Sequence, residues 1–216
     1  MSNTDPLVKI DVEAAQRYAL ERLERELSPD LVYHSLGHTR DGVLPGVQKL
    51  AAVEGIGGLD LQLLVTAAAF HDLGFIVRFK NHELAGIEIA TQVLPNYGYR
   101  PEDIAVIRGL ILATRLPQSP QTHLEELIAD ADLDVLGREN FLERNRALRS
   151  ELAANGVPFT ERAWLLNQLQ FLREHRYFSA SARQLRDVQK MKNIALLAEM
   201  LAKLPPAELD PLMDEA

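Results

Sequence analysis

His71 and Asp72 sit together near the end of a helix pattern, 59–73, that is otherwise almost wholly apolar. Counting back along the helix from His71 reaches Ala68, Ala67 and Leu64. Counting back from Asp72 reaches Ala69, Ala68, Val65 and Leu61. Both polar side chains therefore lie along faces that belong to a core. Burying a carboxylate without a partner costs several kcal/mol, and a metal cation shared by the two side chains would remove that cost. The plainer alternative is that Asp72 pairs with an arginine while His71 bonds a backbone carbonyl. A lone His-Asp pair does not decide between the two.

More donors stand upstream and downstream. Tyr33-His34-Ser35-Leu36-Gly37-His38 is a short polar turn that carries two histidines, His38 opening a helix. Further on, Asp130, Asp132 and Asp134 interrupt an apolar-periodic helix whose buried face is Leu124, Leu127, Ile128, Ala131 and Val135. At ~100° per residue, Asp132 and Asp134 lie roughly 80° from the centre of that face, on opposite sides, and Asp130 about 120° away. Periodicity does not choose between Asp132 and Asp134 and mildly disfavours Asp130; Asp134 reads as a solvated acidic edge. His123 reads as a residue of a helix's first turn, and His175 as an exposed helix end.

The elements that must position these groups are helical almost throughout, with apolar residues three and four apart. A first helix spans 12–27 with a stripe of Ala15, Tyr18, Ala19, Leu23 and Leu27. The helix after His38 runs to about 53 and is interrupted by Pro45. Helix 59–73 closes at Gly74 as its C-terminal cap. A loop at 75–81 carries Arg78 and Lys80, and helices follow at 82–94, from Pro101 to 113 or 114, at 122–136, 141–154 and 161–174. Thr160 caps the helix 161–174, and Ser179 or Ser181 caps a last helix that reaches about 204. No segment alternates long enough to be a strand. The fold class is all-α, with eight to ten helices around one core. Trp164, Phe171, Tyr177 and Phe178 pack the C-terminal helices.

Composition narrows the chemistry. None of the 216 residues is a cysteine, so disulfides, thiolate metal sites and cysteine nucleophiles are excluded. The hydrophobic share of 47%, the charged share of 25% and the net charge of −8 describe an acidic globular chain. Such a surface does not suit nucleic acid or an anionic membrane, which need cationic patches. The longest apolar stretch, 63–70, falls short of the roughly 20 residues that cross a bilayer, and no signal pattern opens the chain, so it reads as cytoplasmic.

The ordered set His, His-Asp, Asp resembles the HD-domain superfamily of metal-dependent phosphohydrolases. It is most similar to a bacterial group with a "YHxxxH" opening, here Tyr33 to His38, and a "DADLxxLG" segment, here Asp130-Ala131-Asp132-Leu133-Asp134-Val135-Leu136-Gly137. The resemblance covers about residues 30–140. It implies that 1–29 is an N-terminal helix packing on the core, 30–140 an HD-type metal-binding core, and 141–216 a C-terminal helical extension of the same domain. It further implies His38, His71, Asp72 and Asp132 as ligands of a divalent transition metal (Mn²⁺, Fe²⁺, Zn²⁺, Co²⁺ or Ni²⁺), with Asp130 as a neighbouring base or the alternative ligand. Asp72 or Asp130 would orient water, and His34 would protonate the leaving group. His82 resembles a histidine that helps bind a second metal in related phosphodiesterases, but the paired histidines those enzymes carry further on are missing, and Thr114 and Arg115 stand near that place. Lys80, Arg78 and His82 would meet the substrate.

The reaction implied is hydrolysis of a phosphoester in a nucleotide or related small phosphate, and a homodimer is compatible with the apolar C-terminal helix. The competing readings are a catalytically silent HD module that binds a ligand or partner, and a diiron HD oxygenase, which would need more histidines. No glycine-rich phosphate loop or base-reading motif identifies the substrate; its specificity would come from loops such as 75–81 and 114–121.

Overall fold

The computed structural model describes residues 9–205. Residues 1–8 of the expected N-terminal segment and 206–216 of the expected extension lie outside the described residues. Nine α-helices and no strands occur among the described residues: α1 (Val12–Glu26), α2 (Leu44–Glu54), α3 (Gly58–Phe70), α4 (His82–Val93), α5 (Pro101–Ala113), α6 (His123–Asp132), α7 (Phe141–Ala154), α8 (Glu161–Glu174) and α9 (Ala180–Lys203). Their starts obey capping chemistry. Asp11, Thr122, Thr160 and Ser179 each accept a backbone N–H of the first turn from the N-cap position, and Pro101 opens α5.

Helix α3 is the central rod. Every residue from Leu63 to Phe70 is buried, because α1, α2 and α5 surround it. Extended through the next turn, Gly58–Ile76 has the length and hydropathy of a membrane span, which corrects the sequence-based length argument; 72% of that window is buried inside the protein, as befits a core helix. The rod ends earlier than expected, at Phe70 with His71 as C-cap, and a 3-10 turn follows over Leu73–Ile76. Gly74 is therefore not a helix cap. A Cβ there would lie 1.8 Å from the His82 carbonyl oxygen, so glycine lets this turn pack directly on the start of α4.

The helix expected to begin at His38 is also remade. His38–Val43 is a π-helical turn in which Leu44 N–H donates to the Thr39 carbonyl, five residues back. Pro45, which has no N–H to donate, then sits in the first turn of α2. The effect is that His38 points inward while α2 keeps its own apolar face on α3.

The C-terminal helices are clamped onto the core through 130–138. Asp130 accepts from Phe178 N and Ser179 N, each at 2.8 Å, and from Ser179 Oγ at 2.6 Å. Asp134 pairs with both Arg138 and Arg186. Asn193 donates to the carbonyls of Leu136 and Arg138 at 2.9 and 3.0 Å. Gly137 fits beneath α9 because a Cβ would stand 2.5 Å from Arg186 Cβ. Two expectations are corrected here. Asp134 is a buried ion-pair centre, not a solvated edge. His175 is partly buried rather than exposed, since Lys190 Nζ donates to both its Nδ1 and its carbonyl. His123 is exposed in the first turn of α6, as expected, and meets Glu126 at 3.0 Å.

Candidate metal centre and cavity

Four side chains from three places in the chain converge below the end of α3. The π-helical turn supplies His38, the end of α3 supplies His71 and Asp72, and the last residue of α6 supplies Asp132. His71 Nε2 is 3.2 Å from Asp72 Oδ2 and 3.5 Å from Asp132 Oδ1. His38 Nε2 is 3.1 Å from Asp132 Oδ1 and 3.6 Å from Asp72 Oδ2. One donor atom each from His38, His71 and Asp132 fits within 4.8 Å, a spacing that suits a single cation.

The orientation of His71 tests that fit. Its Nδ1 donates to the Ala68 carbonyl at 2.8 Å, which is the carbonyl bond of the plainer alternative. With the proton on Nδ1, Nε2 presents a bare lone pair. That nitrogen and Asp72 Oδ2 are both buried and neither has a hydrogen-bond partner. Two lone pairs facing each other at 3.2 Å in a dry interior repel unless a cation or proton lies between them. No arginine meets Asp72, so the other half of the plainer alternative fails among the described residues.

The electrostatics agree. Burial opposes a charge on Asp72, but His71, His82 and His34 outweigh it and hold the carboxyl well below its usual range. On Asp132, which is half-buried, desolvation opposes the charge, but His38 and His71 outweigh it and pull the carboxyl down to about 2. Burial also opposes a charge on His71, yet the two carboxylates outweigh it and raise its pKa well above 6.5. The pocket is built to hold positive charge at the His71 nitrogen.

A cavity of about 610 Å³ opens from Asp72 and Asp132. His34 and His82 stand in its wall, both against Phe75, with ring centroids 4.5 and 3.7 Å from it and 6.1 Å from each other. His82 Nε2 is 3.5 Å from Asp72 Oδ1, the oxygen turned away from His71. Lys80 lines the cavity, as do Thr114 and Arg115. Arg78 does not: it turns to the Asn81 carbonyl and to Glu88, at 3.3 and 3.4 Å. Asp130 is also absent from the cavity wall and from the donor cluster, because the clamp on Phe178 and Ser179 engages both its oxygens. Of the three acids in 130–134, the structure brings only Asp132 to the histidines.

Sequence reasoning missed Glu151 and Arg144 altogether. Glu151, on α7 and fully buried, accepts Tyr33 N at 2.8 Å and His34 N at 3.0 Å through one oxygen, and pairs with His34 Nδ1 through the other. Burial opposes a charge on His34, and Glu151, Asp72 and Asp132 outweigh it, so the imidazole pKa is raised. Arg144 donates to the Tyr33 carbonyl and lies 4.7 Å over the Tyr33 ring. These partners are more than a hundred residues away from the turn they hold, and no periodicity announces them.

The HD domain family model matches residues 32–134. A protein of Clostridium beijerinckii is 32% identical over 85 residues, which cover 38% of this chain and 53% of that protein. The chain thus spans about half the length of that relative. Two solved structures share the fold. One, described as a predicted HD superfamily hydrolase from an uncultured Thermotogales bacterium, has a TM-score of 0.59 at 17% identity and covers 88% of this chain and 91% of its own. The other, from Lactobacillus plantarum, has a TM-score of 0.66 at 18% identity and covers 88% and 95%. Together with the ordered histidines and aspartates of 33–132, the match identifies residues 32–134 as an HD domain.

Proposed function

We propose that this protein is a metal-dependent phosphohydrolase that cleaves a phosphoester of a nucleotide or a related small phosphate. The observation that carries the reading is the approach of two unpartnered buried atoms, His71 Nε2 and Asp72 Oδ2, beside His38 and Asp132. His38, His71, Asp72 and Asp132 would hold a divalent transition metal, with imidazole and carboxylate donors that suit Mn²⁺, Fe²⁺, Zn²⁺, Co²⁺ or Ni²⁺. Such an ion supplies an acidified water and polarises a phosphoryl oxygen.

The chain's own residues supply the rest. In the hydrolysis, a water oxygen bonds to phosphorus, the bond from phosphorus to the leaving oxygen breaks, and that oxygen needs a proton. His34 would give it: Nδ1 is held by Glu151, so Nε2 is the ring nitrogen left for a ligand, and the pKa, raised by Glu151, Asp72 and Asp132 against the cost of burial, favours the charged ring. The attacking water's proton leaves by way of an acceptor such as Asp72, whose Oδ1 faces the His82 side. Lys80 and Arg115 in the cavity wall offset charge on the phosphoryl oxygens. The hydrolase description of the Thermotogales neighbour is in keeping with this.

His82 favours one alternative enough to be tested with the first, since its Nε2 stands 3.5 Å from the outer oxygen of Asp72, where a second ion would be shared. Elemental analysis of the purified protein beside a His71→Ala/Asp72→Ala double variant decides. Near one transition metal per chain, lost in the variant and followed by hydrolysis of phosphoesters with Mn²⁺, is the expected outcome. Two irons per chain with redox activity would favour an oxygenase, and no metal in either protein after soaking would leave a silent ligand-binding module.

A further inference from the structure

One wall of the cavity comes from outside residues 32–134. Along α7, Phe141, Asn145, Leu148 and Leu152 recur at helical spacing and line it, and Gln168 and Phe171 of α8 continue the surface. The wall is largely apolar and aromatic; its polar members are Arg144, the exposed amide of Asn167, and two buried amides, Asn145 and Gln168, which are 6% and 7% exposed.

Those amides have a fixed polarity. Trp164 Nε1 donates to Asn145 at 2.7 Å, and an indole nitrogen can only donate. The Asn145 atom that meets it is therefore Oδ1. Its other terminal atom, Nδ2, then donates to Gln168 at 2.6 Å, and the receiving atom must be Oε1. Gln168 is left with Nε2 as its free end, and among the described residues that group's one acceptor is the exposed Asn167, at 3.2 Å. Trp164 thus sets a one-way relay that leaves an N–H of Gln168 for the cavity.

We infer that Gln168 is a recognition residue for the part of the substrate beyond the phosphate: a flat, apolar group that carries a hydrogen-bond acceptor, such as a carbonyl oxygen or an unprotonated ring nitrogen. Phe141 and Phe171 belong to the surface that receives it, and Gln168 Nε2 donates to the acceptor. A leaving group with a donor at that position meets the wrong end of the amide, and the relay prevents Gln168 from turning to suit it. The inference depends on the phosphohydrolase reading only for where the phosphate sits.

Two phosphomonoesters of equal shape serve as probes, 4-acetylphenyl phosphate and 4-isopropylphenyl phosphate, assayed with the Mn²⁺-loaded protein. The measured quantity is the ratio of their kcat/KM values in the wild type divided by the same ratio in Gln168→Glu, so that leaving-group acidity cancels. Gln168→Glu keeps the acceptor for Asn145 and replaces the cavity donor; Gln168→Leu is the second variant should the first fold poorly. Trp164, the only tryptophan, gives a readout free of catalysis through titration of its fluorescence with acetophenone. A double ratio of about ten or more is expected. Turnover of both esters with a double ratio near one overturns the recognition role and leaves the hydrolase reading intact. No turnover, with acetophenone shifting the emission of the wild type but not of Gln168→Glu, upholds the recognition role and sinks the hydrolase reading. No turnover and no shift overturns both.

Discussion

Replacing Glu151 with glutamine removes one charge and no volume from the group that holds His34. The carboxylate accepts two backbone N–H groups through one oxygen and the imidazole through the other. In Glu151→Gln the backbone donors still require an oxygen, so the amide nitrogen is forced toward His34 Nδ1. A donor there demands an acceptor, which moves the imidazole proton to Nε2 and leaves the ring neutral. The charge-assisted bond lost is worth about 1.5–3 kcal/mol, which lowers stability by a similar amount. Catalysis suffers selectively, because general acid help of about 10²–10⁴ matters only when the leaving group is poor. The assay compares an alkyl phosphate with 4-nitrophenyl phosphate over pH. In the wild type His34 has a raised pKa, so turnover of the alkyl ester falls as pH rises through a value above 6.5. In Glu151→Gln that limb moves to lower pH, and the alkyl ester loses about 10² or more while the nitrophenyl ester loses far less. Equal losses for the two esters, or an unmoved limb, would refute the assignment of His34 as proton donor.

The three acids of 130–134 separate by experiment. Asp130→Ala strands three donors, the two of Ser179 buried and the Phe178 N–H partly so, and lowers stability by about 3 kcal/mol, a drop of several degrees in Tm, while the folded protein keeps any metal it holds. Asp132→Ala loses metal, measured by elemental analysis, with little loss of secondary structure by circular dichroism. Gly74→Ala drives a Cβ into the His82 carbonyl, and since the obstacle is backbone, a cost above about 4 kcal/mol and poor soluble yield are expected; a wild-type melting curve would contradict the packing described. Burial, aided by Lys190 and Arg176, pushes the His175 pKa down to about 3. The unfolded chain therefore binds a proton that the fold refuses between pH 6.5 and 3, so stability falls as pH falls through that window, by up to ~1.4 kcal/mol per pH unit. His175→Gln flattens that part of a urea-denaturation pH profile, and an unchanged slope would count against the buried neutral ring.

Helix positions were legible because capping residues and apolar spacing act within a few residues of each other. Thr160 and Ser179 illustrate this, since each cap hydroxyl accepts a backbone N–H three residues along. The end of α3 was not legible at the same level. Gly74 looks like a cap locally, and the reason it is glycine lies in the distant start of α4. The acidic helix α6 shows the limit of periodicity. Its angular positions assume that one side faces water, yet α9 and the 177–179 segment cover that side, so Asp130 is wholly buried and Asp134 finds two arginines. Arg78 and Lys80 lie two residues apart in one loop and point to different places, Glu88 and the cavity, which composition cannot distinguish. The convergence of His38, His71, Asp72 and Asp132 on one candidate site was readable because burying a His-Asp pair is costly enough to demand a reason; the holder of His34 was not, because Glu151 looks like any acid on a mixed helix.

That asymmetry matches how the work is divided along the chain. The four candidate ligands lie in 38–132, within the matched family segment. The carboxylate that charges His34 and the amide that faces the cavity lie on α7 and α8, beyond it. The clamps at Asp130 and Asp134 bind the two parts from either side of Asp132, so displacing the last helix must disturb the residue that completes the cluster. A chain ended near residue 140 would keep every ligand in sequence and yet expose Asp130 and Asp134 without their partners. It is expected to bind metal weakly and to lose any preference among leaving groups. Full metal affinity in such a fragment would show that the C-terminal helices serve selectivity alone.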